Sequence, residues 1–419
     1  MKIAIIGSGI SGIYAAHYLG KQHQTTLYEA NPSLGGHTDT HHLILQDRRF
    51  SVDTGFIVFN EHHYQYFCKF LKELQVSSRP SNMTFSVSDP STGLEYNATT
   101  LDKLFCQRKN LISPRFYRMI LDIVRFYKQA PKLLEGNDDE LTLGQYLQNN
   151  RYSQAFVDDH ILPMACALWS GPPSIIEKFP ARYLMAFMNN HQMLQIDQRP
   201  EWRTIEGGSD SYIQAFLKKF QGRVRLNSPV NSVQRHRLGV TVKTEIDQIE
   251  YDQIILACHS DQALSLLTDP SPEERAILGA IKFQENDTVL HTDKRLMPQH
   301  PKAWASWNAL KMKHEQQRCT VTYYMNLLQG LDAPEPLLVT LNCTDLIDPE
   351  KILVRRSYHH PVYTPESLAA QKRRPEINGI NRTFYAGAYW GWGFHEDGVK
   401  SAREVVDMIQ ETLRFQEAS

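Results

Sequence analysis

The sequence has no excess of charge of either sign, because 45 lysines and arginines stand against 46 aspartates and glutamates and leave a formal net charge of −1. This balance argues against nucleic acid or another highly charged molecule as a partner. Cysteine is scarce, and none of the six cysteines forms a C-x-x-C pair or follows the spacing of a zinc site. We therefore predict no metal site and reduced thiols, as in a cytoplasmic protein.

Long apolar runs are absent as well. No uncharged apolar stretch reaches about 18 residues, so the sequence predicts no transmembrane helix. The opening segment MKIAIIGSGISGIYAAHYL is apolar enough to suggest a signal peptide, but only Lys2 precedes the apolar run and glycines interrupt it. We interpret this segment as a strand, a tight turn and a helix.

The N-terminal segment carries a full G-x-G-x-x-G pattern at residues 7–12, with the sequence GSGISG. Residues 2–6 before it form a nearly continuous apolar run, typical of a buried parallel strand. Residues 13–19 have the pattern of a helix, and residues 25–28 that of a second strand ending at Glu29. This order of strand, glycine loop, helix and acid predicts a Rossmann-like dinucleotide-binding unit.

Each part of this motif has a mechanical role. Gly7 allows the tight turn, Gly9 lets the backbone approach a pyrophosphate, and Gly12 lets the helix pack closely on the strand. The free N–H groups at the helix start face the phosphates. Glu29 can accept hydrogen bonds from the adenosine ribose, and its charge disfavours a 2′-phosphate there.

A second glycine pair, Gly35 and Gly36, follows the ribose acid, and residues 52–56 (VDTGF) have the pattern of a strand that ends in a close backbone approach. This arrangement resembles the flavin amine oxidase superfamily, which includes monoamine oxidases, phytoene desaturases and protoporphyrinogen oxidases. The resemblance extends along the chain, through WRTIEGGSDSYIQAF (202–216), Val230 at an adenine contact, and the returning strand YDQIILACHSDQAL (251–264). It implies FAD as the cofactor.

The C-terminal loop AGAYWGWGFHEDGVKSA (386–402) fits the same resemblance. In the superfamily a strand, here 383–388, brings Gly387 to the cofactor, the loop passes beside the flavin ring, and the last helix starts under the flavin. The positive end of that helix favours negative charge on the flavin. No cysteine lies near these segments, so we expect FAD to be bound non-covalently. The cofactor contacts implied by the motif and the resemblance are Gly7, Ser8, Gly9, Ser11, Gly12, Glu29, Ala30, Gly35, Gly36, His37, Thr38, Gly55, Phe56, Ile57, Val58, Trp202, Val230, Ala257, Gly387, Phe394, His395, Asp397, Gly398 and Val399.

A narrower resemblance is carried by the blocks VDTGFIVFNEHHY, SNMTFSVSD, ILPMACALWSGPPS and NHQMLQIDQRPEWRT. They resemble bacterial FAD-dependent oxidoreductases and the flavoprotein-like N-terminal domain of plant cyclopropane fatty acid synthases. The fold expected from the family is α/β, with a Rossmann-like, glutathione reductase-type FAD-binding domain and an inserted α+β substrate domain of antiparallel sheet and helices. We predict an FAD-binding domain from residues 1–66, 200–275 and 376–419. The substrate domain would then comprise 67–199, mainly helical, and 276–375, an antiparallel sheet.

The resemblance suggests only a few candidates for the chemistry. Related amine oxidases place a lysine beneath the flavin, and here Thr288 stands at our best match to that position. Phe394 matches one of two flanking aromatic positions, and the other falls to His360 or Tyr363. If a proton must leave with the hydride, the candidate bases are His360, His395 and His291.

Three functions remain open from the sequence. The first is a flavin-dependent oxidase or dehydrogenase of a hydrophobic substrate such as an acyl chain; the second is an amine oxidase; the third is a non-catalytic FAD-binding partner of a lipid-modifying methyltransferase. The segment 104–134 holds seven lysines and arginines against a single aspartate. If helical from about 115, its apolar stripe opposes Arg118, Asp122 and Arg125. Two interpretations stay open: the stripe packs on the substrate domain and the cations face solvent, or the helix makes peripheral contact with the inner face of the membrane.

Overall fold

A computed structural model describes residues 1–136, 138–169, 171–195, 199–312 and 319–417. Its first sheet, the parallel sheet, has five strands drawn from distant parts of the chain. The strand Lys2–Ile6 forms at the predicted position and lies at the centre of the sheet because both of its faces are apolar and buried. The strand order across the sheet is Arg223–Arg225, Gln24–Tyr28, Lys2–Ile6, Gln253–Leu256 and Thr383–Tyr385.

Two helices pack together beside this sheet. The first, Ile10–Leu19, begins directly after the glycine loop, three residues earlier than predicted. The second is the long terminal helix His395–Glu417, and the two share one buried core. A three-stranded antiparallel sheet, Val230–His236, Gly239–Thr244 and Gln248–Tyr251, covers another part of the parallel sheet. The hairpin Thr40–Leu45 with Arg48–Asp53 forms a separate two-stranded sheet.

The larger sheet has seven strands and is mixed rather than purely antiparallel. The strand Trp307–Lys311 pairs in parallel with Phe85–Asp89, whereas the other pairs are antiparallel. The two strands from the mainly helical segment 67–199 thus extend the sheet predicted for 276–375, which the sequence did not indicate. The order is Ile352–Val362, Lys282–His291, Leu338–Leu341, Cys319–Tyr324, Trp307–Lys311, Phe85–Asp89 and Leu94–Asn97. A small third sheet consists of Phe59–Asn60, Trp202–Ile205 and Ser78–Pro80.

Most remaining elements are helices on the outside of these sheets. Within the described ranges they are Gln65–Leu74, Leu101–Leu104, Pro114–Gln129, Leu143–Asn149, Gln154–Phe156, Leu162–Trp169, Pro173–Ile176, Ala181–Asn190, Asp210–Lys219, Ser260–Leu266, Pro272–Ala280, Met325–Leu328 and Pro365–Lys372. None of the helices in the described part of the chain has the length and apolarity to cross a membrane. The predicted domain boundaries stay a prediction.

The helix Pro114–Gln129 forms where the apolar stripe predicts it, and the side chain of Ser113 caps its first turn. Its polar face differs from the prediction. Asp122 points inward, where it accepts a hydrogen bond from the backbone of Ser153 at 2.9 Å and pairs with Arg118 and Arg125. The prediction that this carboxylate shares the solvent face was wrong, because the sequence pattern does not reveal the backbone N–H that it meets.

Candidate cofactor and active site

The glycine loop at the end of the strand Lys2–Ile6 contains glycines with two different roles, which the space around each Cα reveals. Gly7 has a φ of 98°, and a β-carbon on it would lie 2.7 Å from the carbonyl oxygen of Ala257. A β-carbon on Gly12 would overlap the carbonyl oxygen of Gly7. A β-carbon on Gly9 would meet no described atom within 4 Å. Gly7 and Gly12 therefore serve the packing of the protein itself, whereas Gly9 faces open space in a cavity.

The carboxylate of Glu29 lies across this loop at the end of the second strand. One oxygen accepts hydrogen bonds from the backbone N–H (3.1 Å) and the hydroxyl of Ser8, and the other accepts from the backbone N–H and the side-chain amide of Asn31, both at 2.9 Å. The carboxylate is buried but lines the cavity. Since a carboxylate has about four lone-pair sites, these four hydrogen bonds use its capacity, and a ligand hydroxyl that binds Glu29 would replace one of the side-chain donors, the Ser8 hydroxyl or the Asn31 amide.

The second glycine pair passes close over the first loop. Gly36 adopts a φ of 61°, and a β-carbon there would lie 3.1 Å from the Cα of Gly9. The next residue, His37, has a buried Nε2 atom that meets no hydrogen-bond partner among the described residues. Phe56 donates its backbone N–H to the carbonyl of His37 at 2.7 Å, so this turn is fixed to the end of the strand Arg48–Asp53.

The aromatic loop 387–394 is held by the start of the terminal helix. Asp397 accepts hydrogen bonds from the backbone N–H groups of Trp392 (3.1 Å) and Phe394 (3.0 Å). Burial raises the pKa of Asp397 to about 6, although these hydrogen bonds oppose the shift. Neighbouring Glu396 accepts from the backbone N–H groups of two residues in the first turn of the helix Gln65–Leu74, which it caps.

Four predicted cofactor contacts lie outside the cavity lining: Gly12, Asp397, Gly398 and Val399. Contacts of these four residues with a cofactor stay predictions, and the carboxylate of Asp397 is engaged by backbone N–H groups of the aromatic loop. Val399 is completely buried in the core. At Gly398 a β-carbon would lie 2.7 Å from Ile10, and the carbonyl oxygen accepts a hydrogen bond from Ser11 at 2.9 Å. These residues bring the starts of the first and last helices together behind the cavity wall.

The other predicted residues meet in one cavity of about 1680 Å³, larger than the 300–1,000 Å³ or so of ordinary ligand pockets. The predicted site residues that line it are Gly7, Ser8, Gly9, Ser11, Glu29, Ala30, Gly35, Gly36, His37, Thr38, Gly55, Phe56, Ile57, Val58, Trp202, Val230, Ala257, His360, Tyr363, Gly387, Phe394 and His395. The cavity thus connects the glycine loop at residues 7–12 and the pair Gly35 and Gly36 to the aromatic loop. Their contacts with a cofactor stay predictions.

Among the candidate bases, the three histidines differ sharply in their surroundings. His395 stacks on Phe56 at 3.6 Å between ring centroids, and burial lowers its pKa to about 3. The same effect lowers the pKa of His360 to about 4, and its Nδ1 lies 3.1 Å from the side-chain nitrogen of Asn286. His291 does not line the cavity, because it is buried in the seven-stranded sheet against Thr340. Proposing His291 as a base was therefore wrong.

The two predicted aromatic residues each contact a ring from the helix Ala181–Asn190. Phe394 stacks on Phe187 with centroids 5.0 Å apart, and the ring of Tyr363 lies 4.9 Å from Tyr183. Both Phe394 and Tyr363 line the cavity. Thr288 also lines it, and no lysine does so within the part of the chain that the structure describes.

Sequence reasoning missed His191, which lines the cavity with its ring centroid 5.6 Å from that of Phe394. Its Nδ1 lies 3.0 Å from the carbonyl oxygen of Phe187, so Nδ1 carries the proton and Nε2 is the acceptor. Burial lowers its pKa to about 4 and keeps the ring neutral at pH 7. The only available signal was its place in the NHQMLQ block that carries the family resemblance.

Beyond the aromatic loop, the cavity continues into a chamber whose walls come from the helices and the seven-stranded sheet. Arg199 also lines the cavity near Tyr127, and a second cation, Arg356, is paired with Asp39 at 2.7 Å. The remaining walls are mainly apolar: Met83, Phe85, Leu101, Leu104, Ile120, Ile123, Val124, Met164, Leu168, Trp169, Met193, Trp307, Tyr323 and Leu341. Such a lining suits a long apolar chain.

Known proteins share both sequence and fold with this chain. The sequence profile of the family described as flavin-containing amine oxidoreductase matches residues 10–291. An L-amino-acid oxidase of Siganus canaliculatus is 21% identical over 314 residues, which is 69% of this chain and 56% of that oxidase. The chain therefore spans little more than half the length of this relative.

Two solved structures cover nearly the whole chain. The CLA-producing fatty acid isomerase from P. acnes superposes with a TM-score of 0.70 at 17% identity, over 97% of this chain and 98% of the isomerase. Cyclohexylamine oxidase from Brevibacterium oxydans gives a TM-score of 0.71 at 14% identity, over 99% of each chain. At these identities the similarity establishes the fold.

Proposed function

Because this chain belongs to the flavin-containing amine oxidoreductase family, we propose that it is an oxidoreductase that takes a hydride from a hydrophobic substrate, such as the acyl chain of a lipid. FAD is the cofactor of the family, and the enzyme is a flavin oxidoreductase. The observation that carries the substrate class is the mainly apolar lining of the chamber beyond Phe394.

The residues of the cavity fit FAD. The open space beside Gly9, the start of the helix Ile10–Leu19 and the unpartnered Nε2 of His37 within the described residues suit a pyrophosphate. Glu29 would hold the adenosine ribose, and Gly387 with the aromatic loop would lie along the flavin. When bound, FAD supplies the hydride acceptor, which no side chain of a protein can replace.

The chain's own residues would position the substrate and move its proton. The apolar walls exclude water and hold the reacting C–H in a fixed direction, which supplies most of what a hydride transfer needs. Phe394 of the aromatic loop forms part of the chamber wall. If a proton leaves with the hydride, the neutral Nε2 of His191 can accept it.

Three further observations bear on the substrate. The fold of the fatty acid isomerase covers nearly this entire chain, and that protein acts on a fatty acid. The sequence resemblance to the flavoprotein-like domain of plant cyclopropane fatty acid synthases also supports an acyl chain. Arg199 favours an anionic head group and disfavours a protonated amine at its end of the cavity.

Amine oxidation is the second candidate. The aromatic residues Phe394 and Tyr363 in the cavity wall and the similarity to cyclohexylamine oxidase favour it. The lack of a lysine in the described cavity lining weakens it. A non-catalytic FAD-binding partner of a lipid-modifying methyltransferase is the third alternative.

Anaerobic reduction of the bound flavin separates these alternatives. The purified yellow protein is mixed with phospholipid and fatty acid extracts in detergent micelles, or with a panel of amines, and flavin absorbance is followed. We expect bleaching by the acyl lipids only. Bleaching by an amine and not by lipid would establish the second candidate, and a flavin that no extract reduces would contradict catalysis and favour the third.

A further inference from the structure

A surface patch of exposed apolar side chains lies at one side of the chamber. We call it the rim patch and define it by Leu101, Leu111, Ile112, Tyr117 and Leu121. Leu101 is 75%, Ile112 86% and Leu121 65% exposed. Water-facing apolar side chains scattered singly need no explanation, but five within one short segment mark an interaction surface.

The members of the rim patch are joined in space. Tyr117 and Leu121 are four residues apart on the helix Pro114–Gln129 and therefore share a face. The hydroxyl of Tyr117 donates to the carbonyl of Leu111 at 3.1 Å, and its ring lies 5.9 Å from that of Phe105. Phe105 in turn donates its backbone N–H to Leu101. The patch is thus one continuous surface.

The rim patch adjoins the chamber itself. Leu101 is exposed on the outside and also lines the cavity. Ile120, Ile123 and Val124 line the cavity from the helix whose outer face carries Tyr117 and Leu121. One helix therefore forms the wall between the apolar chamber and the apolar outer surface.

The charge around the patch is strongly positive, although the whole chain is balanced. Residues 101–129 hold seven lysines and arginines against two aspartates. Arg125 is held inside this group by Asp122 and by the ring of Tyr152, 4.1 Å away. Lys109, Arg118 and Lys128 are exposed and can face a negatively charged surface.

We propose that the rim patch docks on an anionic lipid bilayer, with its apolar side chains in the headgroup–acyl boundary and its cations on the lipid phosphates, so that the chamber opens toward the membrane. An apolar centre flanked by cations is the pattern of a helix that lies on such a surface. Docking at this patch does not depend on an acyl substrate, but it would bring such a chain directly to the chamber.

Co-sedimentation with vesicles tests the docking. Vesicles of phosphatidylcholine alone are compared with vesicles that also contain phosphatidylglycerol. We expect the wild-type protein to sediment only with the anionic vesicles, and less of it as salt is raised. The double variant Ile112→Glu/Leu121→Glu should lose binding by about tenfold or more, because charged side chains oppose burial.

The matched control changes two exposed apolar residues that lie outside the rim patch. Leu238 and Ile246 are each 80% exposed on turns of the three-stranded sheet, and Leu238→Glu/Ile246→Glu should bind vesicles like the wild type. The charge variant Lys109→Gln/Arg118→Gln/Lys128→Gln should also lose binding by about tenfold or more, since these cations would attract the anionic headgroups. FAD absorbance per protein reports that every variant is folded.

Several outcomes would overturn the docking proposal: equal sedimentation of wild type and rim variants, equal binding to neutral vesicles, or an equal loss in the Leu238/Ile246 control. A protein that stays in the supernatant with both vesicle types would also exclude the bilayer and leave a protein partner for the patch. Flavin reduction by acyl lipid in detergent micelles does not require docking. Reduction without sedimentation would therefore reject the docking and keep the proposed function.

Discussion

Single residues decide whether the dinucleotide can bind. Because a side chain at Gly9 would extend into open space, Gly9→Val should leave the fold intact and exclude FAD, giving a folded but colourless protein. Circular dichroism and flavin absorbance measure the two properties separately. The control is Gly136→Val, where a β-carbon would meet its nearest atom at 3.7 Å in a loop outside the cavity lining. A yellow Gly9→Val protein would contradict our placement of the pyrophosphate.

Glu29 should strengthen the binding of FAD, whereas Gly9 only leaves room for it. Glu29→Gln keeps the size of the side chain but removes its charge, and a hydrogen bond to a charged group contributes about 1.5–3 kcal/mol. We therefore expect FAD affinity to fall by roughly ten- to a hundredfold, as measured by fluorescence titration of the FAD-free protein. Unchanged affinity would mean that Glu29 only braces Ser8 and Asn31.

His191 should affect the reaction and not the binding of the cofactor. In the wild type, flavin reduction should decline as pH falls through about 4, because the ring becomes protonated there and Nε2 can no longer accept a proton. His191→Phe should slow reduction at pH 7 by about a hundredfold or more and remove this pH dependence, with FAD content unchanged. A rate that still declines near pH 4 in the variant would assign the proton to another group.

At the scale of elements, Glu396 joins two helices. Its carboxylate accepts the free N–H groups at the start of the helix Gln65–Leu74. Glu396→Ala should lower the free energy of unfolding by about 1–2 kcal/mol, as for the loss of a helix cap, measured by urea titration of the FAD-free protein. Glu411→Ala, exposed on the same terminal helix, is the control and should change stability little. Equal effects of both substitutions would contradict the capping role.

The helices, strands and loops also show which structural roles can be predicted from the sequence. Glycine roles are local, so the turn at Gly7 and the open face of Gly9 could be predicted from spacing alone. The roles of Asp122 and Glu396 could not, since each carboxylate meets backbone N–H groups from a segment brought near only by tertiary packing. The strand Phe85–Asp89 was missed for the same reason, because its partner Trp307–Lys311 is far along the chain. The edge strand Leu94–Asn97 was missed with it, since it pairs only with Phe85–Asp89 among the described strands of this sheet.

At the scale of the whole molecule, Asp53 links three parts of the fold. Its carboxylate accepts hydrogen bonds from Thr40, from Ser209 and from the side chain of Gln329, and it is completely buried. Burial raises its pKa to about 7, above its ordinary value of 3.8. The folded state then binds more protons than the unfolded state between about pH 4 and pH 7, so this group costs stability as pH rises through that window.

Asp53→Asn removes this titration. The melting temperature of the wild type should fall from about pH 4 to pH 7 by more than that of the variant, whatever the difference in their absolute stability. The test compares how steeply the melting temperature changes with pH in the two proteins, measured by thermal denaturation without FAD. Parallel curves would show that Asp53 keeps an ordinary pKa in the folded protein.

The hydrogen bond from Ser11 to Gly398 joins residues 387 positions apart. During synthesis the first helix must therefore wait for almost the entire chain before its partner exists, and the ends of the cofactor site are brought together at a large loss of chain entropy. A dinucleotide that contacts both the N-terminal and the C-terminal part of the site would stabilise their association. FAD should thus be captured only after synthesis, and chains that stop before residue 383 should carry none.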